Sequence, residues 1–415
     1  MEGKIKTLTH KPRLSIVLAA AVMTCLLIGG TLGYAISSFT TSSQIHDLQI
    51  QVSNLQEQVS DPQSTQNSSS QNNTYLLGEN VSLSQLYLQV KTSIVVVQGT
   101  TATEYSNPWG QPYYQYGEVQ GSGFIYNSTG QLVIVTNYHV VDGANNITIT
   151  FIDGDAYAAK VIGSDPYADL AVLTSNAPQG EYQVLTTTNS STLNVGDPVL
   201  AIGTPYGLAG TVTSGIVSAL GRTITESTTG GYLIADCIQT TTPINPGNSG
   251  GPLLNYEGEV IGITTAVETS SQGIGFAIPS NTILREIQSL ITNGSYNNHP
   301  ALGASGTDMN YGIAEAMKVN VTYGWLIVQV TSGGAADKAG LKGGTTQTQI
   351  EGTTVTLGGD IITAIEGTRI TSIDDLSAYL EEYTLLGQTI NVTIVRNNQT
   401  LTLLVELQTR PPPST

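Results

Sequence analysis

The chain has 415 residues, more than one ordinary core accommodates at roughly 100 to 200 residues per domain, so two or three units are expected. Only 11% of its residues are charged, and Lys4, Lys6, Lys11 and Arg13 all precede residue 14, which leaves ten Lys and Arg against thirty Asp and Glu (10 − 30 = −20) beyond it. Such a surface repels phosphate backbones and excludes nucleic acid as a partner, and with Cys25 inside an apolar N-terminal stretch, Cys237 has no partner for a disulfide framework.

Residues 1–13 form a basic segment expected to stay in the cytoplasm. Residues 14–36 (LSIVLAAAVMTCLLIGGTLGYAI) are apolar over about the ~20 residues that cross a bilayer as a helix, with the cations on one side only. This predicts a transmembrane signal-anchor, single-pass, with everything after it outside the cytoplasm. A cleaved signal peptide is the competing reading, because Gly33-Tyr34-Ala35 offers a small-x-small site, although the apolar run exceeds the usual ~7 to 15 residue core. Within 37–74, Ile45, Leu48, Val52, Leu55 and Val59 step by three and four, the pattern of a short coiled-coil stalk. DPQSTQNSSSQNNT follows, a polar linker that cannot bury apolar area.

From 75 to 292, short β-branched runs (SIVVVQGT, LVIVTNYHV, DLAVLTS, PVLAIGT, GEVIGITTAV) alternate with Gly, Asn and Asp turns, predicting a mainly β barrel or sandwich. One helix is predicted over Ser280 to Ile291, with Ile283, Ile287 and Leu290 on one face. NGSYNNHP then reads as a linker to a smaller α/β unit, 299–410, cored separately from the first.

Of the histidines at 10, 46, 139 and 299, only His139 falls in the all-β region, at the end of the apolar run LVIVT. An isolated histidine is more often structural than catalytic. Ser249 stands in NPGNSGGPL among Gly247, Gly250 and Gly251, and glycine permits the backbone to turn N–H groups toward one point without side-chain interference. That is what an oxyanion hole over Gly247, Asn248 and Ser249 requires, with the N–H groups of Gly247 and Ser249 turned inward. An acid must orient the histidine, and Asp142, Asp153, Asp155, Asp165 and Asp169 are available. Asp142 is too close in sequence to fold back easily, Asp165 precedes Pro166 in a turn, and Asp169 opens the apolar DLAVL.

TNYHVV, SDPYADLAVL and INPGNSGGPL, in the order His, Asp, Ser, resemble the HtrA/DegP family of trypsin-fold proteases, as do GTVTSGIVSALGR and GIGFAIPS. The resemblance implies a trypsin-like double β-barrel protease domain, with His139 and Asp169 on the first barrel and Ser249 on the second. It also implies a substrate-binding strand at Ile274, Gly275 and Phe276. HPALGA resembles the carboxylate-binding loop of a family PDZ domain, so Ala301, Leu302, Gly303 and Ala304 are expected to receive a peptide C-terminus. Thr241 stands where the family usually has Asp, EYSNPWGQPYYQYGE (104–118) occupies the place of a variable regulatory loop, and TTQTQIEGTTVTLG is an extra segment within the PDZ match. The implied activity is cleavage of unfolded or damaged polypeptides, or ones with exposed C-termini, by a homo-oligomer, a trimer in the usual case, with no cofactor and no metal. A chaperone-like or regulatory peptide-sensing protein with a rarely aligned triad is the alternative. A catalytic imidazole must be neutral, so activity is expected to rise through about pH 6 to 7.

Overall fold

The computed structural model describes residues 82–411 apart from 108, 205–209, 227–231 and 266–272. The expected anchor, stalk and polar linker lie outside the described residues, and among the described residues no helix is long and apolar enough to cross a membrane.

Helix α1 (Leu83–Val90) leads into a closed six-stranded barrel of β1 (Ile94–Ser106), β2 (Pro112–Ser128), β3 (Gln131–Thr136), β4 (Asn145–Thr150), β5 (Ala156–Asp165) and β6 (Leu170–Ser175). A single helical turn, α2 (Tyr138–Val141), follows β3. The strand order is β1-β2-β3-β6-β5-β4, and β4 pairs back onto β1. The second closed barrel repeats this plan with β7 (Pro198–Gly203), β8 (Thr211–Glu226), β9 (Tyr232–Thr240), β10 (Pro252–Leu254), β11 (Val260–Thr265) and β12 (Gly275–Pro279). Helix α3 (Ser280–Asn293) closes the domain and ends at Gly294, whose φ of 78° provides the left-handed cap.

Strands such as β6 are apolar on both faces because both faces are covered. Ala171 and Leu173 of β6 fill the first barrel with Val95 and Val97. Leu170 and Val172, pointing the other way, join Phe124, Leu200 and Ile263 in a core shared by the two barrels, against Ile283, Ile287 and Leu290 of α3. Runs such as LAVL therefore need no polar alternation.

The C-terminal unit comprises β13 (Pro300–Ala301), β14 (Ala304–Asp308), α4 (Tyr311–Met317), β15 (Trp325–Val330), α5 (Ala335–Lys338), β16 (Thr346–Ile350), β17 (Thr353–Leu357), β18 (Ile361–Ile365), β19 (Thr368–Arg369), α6 (Ile373–Tyr383), β20 (Thr389–Arg396), β21 (Gln399–Glu406) and β22 (Gln408–Thr409). Its main sheet runs β14-β15-β18-β20-β21, leaving β14 at an edge. Trp325, Ile327, Ile362, Ile394, Leu376 and Leu380 give it a core of its own.

Three segments differ from their sequence reading. The stretch 104–118 is the far end of the β1–β2 hairpin rather than a loop, with Tyr105 paired to Tyr113 in register and their rings stacked at 5.6 Å. Cross-strand aromatic pairs of this kind favour extended pairing. The extra segment folds as the β16–β17 hairpin, turning through Glu351 (φ 50°) and Gly352 (φ 83°), both in the left-handed region that such two-residue turns require. Residues 293–300, expected as a plain linker, form a packed joint in which His299 and Pro300 are buried.

Candidate active site

The chain leaves β3 at Thr136 and turns at the buried Asn137, whose side-chain amide donates to the Asp169 carbonyl oxygen at 2.9 Å. Tyr138 N–H donates to the same oxygen at 3.1 Å. These two bonds start α2 and place His139 one helical turn beyond the strand end. Asp169 is fully buried and holds φ at 50°, a conformation that costs a non-glycine residue free energy. Its hydrogen bonds offset that cost. Oδ1 accepts the His139 N–H at 2.9 Å, and the carboxylate faces His139 Nδ1 at 3.0 Å (Oδ1) and 2.8 Å (Oδ2). Thr265 Oγ1, from the second barrel, donates to Oδ2 at 3.1 Å. A carboxylate only accepts, so the imidazole proton is fixed on Nδ1 and Nε2 becomes the basic nitrogen.

Ser249 is buried in the turn between β9 and β10. Gly250 in that turn has φ 85°, and a Cβ there would lie 2.1 Å from Ser122 O and 3.2 Å from Asn137 N. The Ser249 turn is thus pressed against the segment that carries His139. Ser122 ties it down: its N–H donates to Ser249 O at 2.8 Å, and its hydroxyl donates to Gly247 O at 2.6 Å. Gly247 has φ 95°. Of the expected oxyanion donors, Asn248 N–H is taken up by Asn245 O at 2.9 Å, and Asn248 O accepts Thr264 Oγ1 at 2.6 Å. Asn248 therefore pins the turn through its own backbone.

On the expected substrate strand, Gly275 pairs with Thr240, and its missing side chain admits Ile244 Cγ1, which would lie 2.6 Å from a Cβ. Ile274 is exposed and Phe276 packs on the shared core, so of these side chains Ile274 faces outward. Thr241 bonds β8 twice, its N–H donating to Ile216 O at 3.1 Å and its Oγ1 accepting Ile216 N–H at 3.0 Å. A neutral side chain thus braces the strand where the family's Asp would stand.

Ala301, Leu302, Gly303 and Ala304 line a groove of about 790 Å³, with Leu376 and Leu380 of α6 on its other wall and Leu233 of β9 at its rim. Gly303 has φ 70°, and the edge strand β14 follows directly, so an added strand could lie along it.

Ser122, Thr264 and Thr265 went unnoticed in the sequence. The available signal was the pair of hydroxyls closing the apolar run VIGITT, since a buried polar group implies a partner.

Residues 121–263 match the trypsin-like peptidase domain family and residues 300–407 the PDZ domain family. The serine protease Do-like HtrA of Lactococcus lactis subsp. cremoris is 38% identical over 304 residues, covering 69% of this chain and 70% of that protein. A probable periplasmic serine endoprotease, DegP-like, of Chlamydia muridarum is 44% identical over 231 residues, 55% of this chain but 45% of that protein, so the chain spans about half the length of the curated relatives matched in this way. Among solved structures, the HtrA-type protease AlgW with decapeptide superposes with a TM-score of 0.59 at 31% identity, over 80% of this chain and 100% of that one.

Proposed function

We propose that this chain, which belongs to the HtrA/DegP family of serine proteases, is an extracytoplasmic serine endopeptidase acting through His139, Asp169 and Ser249. The observation that carries the reading is the hold on His139, whose Nδ1 lies 2.8 Å from a fully buried carboxylate that both barrels support. A general base requires such a hold at Nδ1, so that Nε2 is the nitrogen that takes up the serine proton.

In this mechanism Ser249 Oγ adds to the scissile carbonyl carbon while its proton passes to His139 Nε2. The carbonyl oxygen takes up the negative charge and is stabilised by the N–H groups of Gly247 and Ser249. Asp169 stabilises the imidazolium so formed. Collapse of the tetrahedral intermediate breaks the C–N bond, and His139 returns the proton to the leaving amine. A water molecule then repeats the sequence on the acyl-enzyme and restores Ser249. No step calls for a metal or nucleotide.

The substrates are unfolded or damaged exported polypeptides, whose exposed C-termini bind at Ala301–Ala304. The relatives named periplasmic and the apolar segment 14–36 together support an enzyme anchored to the membrane with both domains outside the cytoplasm. The family resemblance supports a trimer. Substituting Ser249→Ala tests the reading: casein hydrolysis by the full chain should fall by several powers of ten, and substantial hydrolysis by pure variant protein would refute it.

A further inference from the structure

Where the PDZ domain meets the first barrel, a group of charged side chains lies outside the chemistry above. His299, with its side chain 3% exposed, sets Nε2 2.6 Å from Asp165 Oδ2 and Nδ1 3.0 Å from Glu381 Oε1. Asp165 ends β5 and Glu381 lies on α6, so one imidazole joins the two domains. Carboxylates only accept, and a ring that bonds to one at each nitrogen must carry both protons.

Helix α3 contributes Arg285 and the fully buried Glu286. Arg285 donates to Glu286 Oε1 at 2.7 Å and to Glu381 Oε1 at 2.6 Å, while Glu286 Oε2 accepts no hydrogen bond. Glu286 sits beside Asp165, and burial, followed by the charge of Asp165, pushes its carboxyl well above the usual range. With Glu286 neutral, Asp165 and Glu381 face Arg285, the doubly bonded His299 and, at Glu381, Arg410. The rings of Tyr167 and Tyr296 enclose the imidazole at centroid distances of 5.2 and 4.9 Å, and the Arg410 N–H donates to His299 O at 3.0 Å. Beneath α6, β9 supplies Asp236, which faces Glu381 and Glu382.

The same group grips the turn that leads to Asp169. Asp165 Oδ1 accepts the Tyr167 N–H at 2.9 Å, the Tyr167 hydroxyl donates to Pro411 O, and the Arg410 guanidinium lies 4.7 Å over the Tyr167 ring. We propose that this cluster is a proton-dependent latch: cationic His299 locks the PDZ domain onto the turn that presents Asp169, and loss of its proton releases the domain.

Burial alone would depress His299, but its hydrogen bonds to Asp165 and Glu381, and their charges, push it up to about 10. Once released into water it returns to about 6.5. The latched state therefore keeps a proton that the released state gives up between these values. The His299 share of the latch is fully present below about pH 6.5 and falls by up to about tenfold per pH unit above it, until about pH 10. Asp236, pushed up to about 8 by burial and then by Glu382, acts in the same direction, because release lets it ionise. Glu381 opposes them: burial raises it, yet His299 and Arg285 hold it below the usual range, so its share is lost only in strong acid.

The latch rests on the protease reading only for its consequence at Asp169, and it can be read without activity. The Thr223 N–H donates across the same interface to Asp374 Oδ1 at 2.7 Å. Hydrogen-exchange protection factors, corrected for intrinsic exchange, are measured on the full chain for the Thr223 and Tyr167 amides from pH 6 to 9, with β20 amides as a control for global unfolding. Wild-type protection at Thr223 should fall above pH 6.5, and above about pH 8, beyond the Asp236 range, the slope is that of His299 alone at up to about tenfold per unit. His299→Arg, cationic throughout, should abolish the slope between pH 8 and 9 and keep only the Asp236 share below it, and His299→Gln should lose protection already at pH 6. Flat wild-type protection, or a wild-type slope between pH 8 and 9 in His299→Arg, overturns the latch. Should His299→Gln fail to fold, the wild type and His299→Arg still decide the matter, and inactive protein with the expected slope would count against the protease reading alone.

Discussion

His139 and His299 each lie against a buried aspartate, Asp169 and Asp165, four residues apart in the chain. His139 turns only Nδ1 toward its acid and keeps 14% of its side chain exposed, whereas His299 gives both nitrogens to carboxylates at 3% exposure. A base must cycle between neutral and cationic forms, so a single carboxylate on one nitrogen suits it. A ring bridged on both sides carries both protons for as long as the two carboxylates hold it. Number and placement of acceptors, more than burial as such, separate the two roles.

The same substitution at the two aspartates sharpens this contrast most. Asp169→Asn keeps the shape but presents an amide to Nδ1, so kcat should fall by about 10⁴ from the wrong imidazole tautomer, while calorimetry shows a folded enzyme. Asp165→Asn should act mainly on stability, because it leaves a buried cation short of its partner, a loss of about 3–5 kcal/mol. Calorimetric unfolding measures it, and equal kinetic penalties at both positions would break the comparison.

Smaller effects test how each site is supported. Thr265→Val removes the second barrel's hydrogen bond to the Asp169 carboxylate. At about 1.5–3 kcal/mol for a bond to a charged group, kcat should drop roughly ten- to a hundredfold with KM little changed. Arg222 pairs with Asp374 at 2.9 Å across the domain interface but is 47% exposed. Arg222→Ala should therefore cost only about 0.2–1 kcal/mol in thermal unfolding, far less than Asp165→Asn, if the buried cluster and not the rim carries the attachment.

What could be read from the sequence follows the range of the interactions. The barrels were legible because β-branched runs and turn residues are local signals, and His139 stood out as the one histidine among those runs. Ser249 was marked by its flanking glycines, which the tight packing of Gly250 against Ser122 and Asn137 explains. Asp169 was favoured mainly by the family resemblance, since its place at the head of DLAVL, against the turn that holds Asp165, is only a weak local signal. Asp165 read as a turn residue and His299 as part of a linker, because the bond between them spans 134 residues and exists only once two domains meet. Ser122 was invisible for the same reason, because a lone hydroxyl in a strand carries no signal until the partner barrel arrives, whereas the Thr264–Thr265 pair closing VIGITT implied a partner without saying which.

The most direct test of the central claim is labelling of the full chain with a fluorophosphonate, followed by mass mapping of the adduct. A serine activated by His139 should react at Ser249 alone, and both Ser249→Ala and Asp169→Asn should suppress the labelling at neutral pH. An adduct on another residue, or undiminished labelling of folded Ser249→Ala, would contradict the assignment of Ser249 as the nucleophile.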